Sequence, residues 1–140
     1  MKKLNFLKFL LLFFLMNNTL IFSQKNIIGK SYKALISKSC KEFNDGGCTI
    51  KTFCTISFEN KNVIIKYFVD ANCTTTQREK LYEENAKKNN KSSTWSIKNS
   101  KIHIQNFTEF GDFEISENSI IGKEENNEKL EYVTFYEIIE

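Results

Sequence analysis

The stretch Thr49-Ile50-Lys51-Thr52-Phe53-Cys54-Thr55-Ile56-Ser57-Phe58-Glu59-Asn60-Lys61-Asn62-Val63-Ile64-Ile65-Lys66-Tyr67-Phe68-Val69-Asp70 decides the fold. Its first half alternates. Ile50, Thr52, Cys54, Ile56 and Phe58 fall on one face and mostly polar residues on the other, which is the period of a half-buried strand. Its second half, Val63 to Asp70, is apolar on both faces, as in a central strand covered on both sides or one facing an internal cavity. Asn60-Lys61-Asn62 is the turn between them. With Asn60-Lys61 as a two-residue loop, the numbers of facing residues sum to 121, and Cys48 falls opposite Cys73.

The same period-two rhythm continues on either side. Ser31 to Ser37 reads as a strand before this hairpin. Thr94 to Lys98 carries Trp95 and Ile97, and Asn99-Ser100-Lys101 turns the chain into Lys101 to Phe107. Asp112 to Ser116, Ser119 to Lys123 and Leu130 to Ile139 complete the series, with the turn Glu117-Asn118 and the charged loop Glu124 to Glu128 between them. The exception is Thr75 to Asn90. There Thr76-Gln77-Arg78-Glu79 fits a capping box, and Glu83 with Lys87 and Glu84 with Lys88 are i,i+4 pairs. Leu81, Tyr82 and Ala86 give this segment a narrow apolar stripe, so one short surface helix is expected.

About eight short strands with short connections describe an antiparallel meander, a mainly β fold. An open sheet of that size leaves edges and one face unpaired, and closure into a small barrel removes both. A two-sheet sandwich is the alternative. No repeat or linker divides the chain.

The N-terminus adds a compartment. Lys2 and Lys3 precede an apolar run, unbroken from Phe9 to Met16, that is too short to span a bilayer, and Asn17-Asn18-Thr19 ends it. Met1 to Ser23 therefore reads as a cleaved export signal. That leaves residues 24–140 as one secreted or periplasmic domain with no stable membrane span. The full chain has 20 Lys and Arg against 17 Asp and Glu. Loss of Lys2, Lys3 and Lys8 brings the net charge to zero, which argues against nucleic acid. The charge is uneven. Gln24 to His103 holds 15 basic against 7 acidic side chains, and Ile104 to Glu140 holds 2 against 10. The two parts either neutralise each other side by side or present faces of one sign to a partner.

Cys40, Cys48, Cys54 and Cys73 in a small exported domain favour two disulfides over a metal site. Their spacings are not of the CxxC type, and the chain has one His. Of the three possible pairings, the hairpin register favours Cys48 with Cys73. That leaves Cys40 with Cys54 across the Asp45-Gly46-Gly47 turn.

No catalytic constellation stands out. His103, between Ile102 and Ile104, is expected on the solvent side of its strand. Glu109, Asp112, Glu114 and Glu117 read as a solvated acidic edge, without the alternation a calcium loop needs. No phosphate-binding glycine loop is present, and no cofactor or metal is implied. The aromatic residues are core candidates. Phe58, Tyr67, Trp95, Phe113 and Phe135 are also the candidates for lining an apolar pocket.

Two groups of residues carry a resemblance. Ile27-Ile28-Gly29-Lys30-Ser31-Tyr32 resembles the opening of lipocalin-like barrels, an apolar pair followed by G-x-W, with Tyr32 one residue further on. Trp95 to Ile104, then Phe113-Glu114-Ile115 and Ile120-Ile121-Gly122, is similar to the hairpin rhythm of secreted bacterial lipocalin-like domains. Together they cover about a third of the chain. The resemblance implies a calycin-type barrel holding a small apolar ligand, and it supplies no catalytic residue. The expectation is a non-catalytic binding protein. The alternative is a module that meets another extracytoplasmic protein, as an inhibitor or adhesion component, through a charged surface.

Overall fold

A computed structural model describes residues 27–126 and 129–139, so the export signal expected over Met1 to Ser23 lies outside the described residues. The chain runs β1 (Ser31–Phe43), β2 (Gly46–Phe58), β3 (Asn62–Cys73), α1 (Thr76–Lys87), β4 (Lys91–Lys98), β5 (Lys101–Ile104), β6 (Phe113–Ile115), β7 (Ser119–Asn126) and β8 (Lys129–Glu137). Each strand pairs antiparallel with its neighbour in sequence, and β8 returns to β1 through Tyr32 opposite Glu137 and Lys33 opposite Tyr136. The eight strands form a closed meander barrel, and the sandwich alternative does not form.

The β2–β3 register holds without a slip from Cys48 opposite Cys73 to Phe58 opposite Val63, each pair summing to 121. Glu59 N–H donates to the Asn62 carbonyl and closes the two-residue turn. The β4–β5 turn is equally tight. Asn99 and Ser100 have φ of 52° and 62°, the left-handed pair whose twist matches a hairpin.

Inward parity builds one core. Tyr32, Ala34, Cys54, Ile56, Phe58, Val63, Ile65, Trp95, Ile102 and Ile104 are buried in one cluster. The β5–β6 connection then turns inward and adds Phe107 and Phe110 to it. Phe110 meets Phe135 edge-on with centroids 5.2 Å apart, and Phe113 meets Phe135 edge-on at 5.6 Å. Gly122 leaves room for this cluster. A Cβ there would come within 2.7 Å of Phe110 Cβ and 2.9 Å of a Phe113 ring carbon.

Closure is partial along the strands. β1 pairs with β8 only at Tyr32 and Lys33, and β3 pairs with β4 only from Asn62 to Ile65. Beyond those points β1, β2 and β3 continue together as a three-stranded ribbon to the β1–β2 turn. A register shift between Leu35 and Ser37 marks a bulge in β1 at the start of this extension. The helix α1 packs along β3 where β4 has left it. There Tyr67 N–H donates to the Asn90 side-chain carbonyl at 2.7 Å instead of to a strand.

Two expectations change. The second disulfide is absent: Cys48 and Cys73 are bonded, while Cys40 is a free, exposed cysteine and Cys54 a free, buried one. The register explains this. Cys40 faces Thr49 and Cys54 faces Ala34, so Cys54 lies five residues along β2 from Cys40's partner. That is about 17 Å of strand. The capping box is also displaced. Thr75, not Thr76, is the N-cap and makes no side-chain cap bond. Glu79 instead accepts the Cys73 N–H at 2.9 Å, tying the start of the helix to the disulfide.

Candidate functional site

The five aromatic pocket candidates separate on folding. Phe58 and Trp95 meet edge-on with centroids 5.2 Å apart, and the Trp95 indole donates to the Glu59 carbonyl at 2.9 Å. Phe113 and Phe135 lie in the aromatic cluster of the barrel body, both fully buried. These four are buried in the body as two packed pairs, Phe58 with Trp95 and Phe113 with Phe135. Only Tyr67 also faces open space.

That space is a cleft of about 280 Å³ between the ribbon and α1. The strands contribute Ser39, Ile50, Thr52, Tyr67 and Val69, whose inward parity past the barrel body brings them onto the concave side. The helix contributes Tyr82, Asn85 and Ala86, and the turn that follows it contributes Asn89. Their i, i+3, i+4, i+7 spacing is one helical face. Lys41 stands at the rim with its ammonium 5.5 Å from the Tyr82 ring centroid. The walls are apolar at Ile50, Val69 and Ala86, and hydroxyls and amides surround them.

Tyr67 ends the cleft on the barrel side. Its hydroxyl donates to Glu109 of the β5–β6 connection, and its cross-strand partner on the inner face is Cys54. Burial, then the bond to Glu109, raises the Tyr67 pKa well above the usual phenol range. Burial pushes the Cys54 thiol up to about 12, against a smaller opposing effect from Tyr67. Cys54 therefore stays protonated at neutral pH, which makes it a poor nucleophile and a poor metal ligand.

Other polar groups do not build a second site. Ser96, His103 and Asp112 have the residue types of a hydrolytic triad. Ser96 faces His103 across β4–β5, and His103 Nδ1 lies 2.8 Å from Asp112 Oδ1. No hydrogen bond joins Ser96 to His103, and all three side chains are exposed on the outer, convex face, where no wall excludes water from a substrate. Among the described residues, no group of three or more His, Cys, Asp or Glu is placed to hold a metal. A groove of about 560 Å³ involves Asp45 and the outward side of α1, including Arg78, Lys80 and Glu84. Arg78 there is committed. It pairs with Asp45 at 2.9 Å and lies 4.0 Å over the Phe43 ring, and its hydrogen bond is the main cause that lowers the Asp45 pKa.

The opposed charges of the two halves meet in the barrel wall. Lys30 pairs with Glu137 at 2.8 Å and Lys101 with Glu114 at 3.1 Å. The outer face of the ribbon keeps an uneven patch: Leu35, Phe53 and Phe68 lie in one cross-strand row, with Lys33 4.4 Å over the Phe53 ring. Leu35 is 49% and Phe68 36% exposed.

The sequence points to Tyr67 but not to the rest of the cleft. The signal it does hold is the spacing of Tyr82, Asn85, Ala86 and Asn89, two of which are amides and so do not register as an apolar stripe. No protein-family model, no curated protein and no solved structure matches this chain.

Proposed function

We propose that this chain is an exported, non-catalytic binding protein that holds a small, largely apolar molecule, in the manner the lipocalin resemblance implies, but between the ribbon and α1 rather than inside the barrel. The observation that supports this reading is the cleft itself, a concave space with apolar walls at Ile50, Val69 and Ala86 and convergent polar groups at its edge. Its volume is just under the 300–1,000 Å³ or so of drug-sized pockets, which suits a compact ligand. In the barrel body the inward side chains are instead buried against one another in a single core cluster. Titrating the folded protein with an apolar fluorescent probe tests the reading. Saturable binding that is lost in Val69→Phe, which narrows the cleft, supports it. Binding that is absent, or unchanged by that substitution, counts against it.

A second reading rests on the ribbon's outer face. The row Leu35, Phe53 and Phe68 beside Lys33 and Lys66 has the composition of a surface that meets an acidic protein partner. A partner held this way dissociates as salt rises, and Lys33→Glu with Lys66→Glu abolishes its capture. An apolar ligand in the cleft responds to neither change.

A further inference from the structure

We infer that the molecule held in the cleft is a small amphiphile with an anionic head, a carboxylate, seated on Lys41. The inference deepens the small-ligand reading above and rests on it. Among the described residues, Lys41 is the sole formally charged side chain lining the cleft. None of the acidic residues of α1, Glu79, Glu83 and Glu84, is among the residues lining the cleft. Glu79 is bound to the Cys73 N–H, and Glu84 lies on the outward groove. Glu109 lies behind Tyr67, whose hydroxyl it accepts. Among the described residues, no carboxylate forms an ion pair with Lys41. Its ammonium is held instead toward the Tyr82 ring, a contact that positions a cation without neutralising it.

The arrangement is polarised along the strands. Tyr67, on the barrel side, is opposite Cys54. Lys41, at the rim, is opposite Cys48, six residues away along β2. Between them lie the apolar side chains Ile50 and Val69. An occupant with its apolar end toward Tyr67 and an anion at the rim meets matching chemistry at both ends. An ammonium-headed occupant would meet Lys41 as a like charge. A neutral alcohol would fit the walls but leave the ammonium without a counter-charge.

Octanoate, octanol and octylammonium, each titrated into the full folded domain and followed by amide chemical shifts, separate these cases. The expected order is octanoate tightest, by about five- to tenfold over octanol, as for one partly exposed charge-assisted contact, with octylammonium weakest. In Lys41→Gln the octanoate advantage disappears while octanol binding is unchanged, and in Lys41→Glu the order of the two ions reverses. Equal binding of octanoate and octanol by the native chain, or an octanoate preference that survives Lys41→Gln, overturns the inference and leaves the small-ligand reading standing. If none of the three shifts the cleft amides, both fall.

Discussion

The barrel body and the ribbon share β1, β2 and β3 but use their inner faces differently. In the body, Ile56, Phe58, Val63 and Ile65 point inward against side chains arriving from β4 to β8 and from the β5–β6 connection, and the space fills. In the ribbon, Ser39, Ile50, Thr52 and Val69 also point inward, but the opposing strands have ended or diverged. Among the described residues, α1 and the turn after it face them. The same alternation therefore gives a packed core where the barrel closes and a lined cleft where it does not. Stability should reside in the first region and binding in the second.

The largest expected effect tests the packed side. Phe113→Ala or Phe135→Ala removes a fully buried ring from the aromatic cluster and should cost about 3–5 kcal/mol in denaturant unfolding. Tyr82→Ala, at the cleft, should cost about 1 kcal/mol or less, because that ring is only half-buried. Equal losses would remove the distinction between the two regions.

The disulfide ranks next. Cys48 and Cys73 close a loop with a sequence separation of 25, which on the chain-entropy model stabilises the fold by about 3–4 kcal/mol. Paired Cys48→Ser and Cys73→Ser should lower the unfolding midpoint accordingly. Hydrogen exchange should show where: protection should fall first in the outer halves of β2 and β3 and in α1, with Ile56 and Ile65 the last to open.

Tyr67→Phe examines the boundary between the regions. It removes the hydroxyl that reaches Glu109 and should cost about 1 kcal/mol, with little change in the body.

The smallest effect at ordinary pH grows in alkali. Burial raises Cys54 from 9.0 and Tyr32 from 10.0, each to about 12 in the folded state, with Glu137 adding to the rise at Tyr32. Above pH 9 the unfolded chain therefore releases protons that the folded chain keeps. This contribution to stability is whole below the unfolded values and is lost as pH climbs toward 12. Cys54→Ala should flatten part of the alkaline slope of the unfolding midpoint. At neutral pH a thiol reagent should modify the exposed Cys40 in the folded protein and reach Cys54 only on unfolding.

Much of the fold is legible in the sequence, and the parts that are not share a cause. The Asn60-Lys61 loop sets the β2–β3 register, and with it the Cys48–Cys73 bridge, because a two-residue turn allows one pairing and alternation allows one facing. The outer half of β1 is hidden. Its inward residues Ser39 and Lys41 border a cleft instead of a core, so an inward face there carries no apolar signal. The bulge at Leu35 and Ser37 also breaks the parity on which a reading depends. For Phe58, Trp95, Phe113 and Phe135, the pattern cannot separate lining a pocket from filling a core. Both need inward apolar residues, and the difference lies in what arrives from across the barrel. In this chain the strand expected to run to Phe107 ends at Ile104, and Phe107 and Phe110 arrive from the connection that follows it.

The most direct test of the division between a filled body and a binding ribbon is the site of a bound apolar probe. With the body filled and the ribbon open, saturating the folded protein with octanoate shifts the amides of Ile50, Val69, Tyr82 and Ala86 and leaves those of Phe113, Ile120 and Phe135 in place. Shifts centred on Phe113 and Phe135 would mean that the barrel interior opens to take the ligand, and would contradict that division.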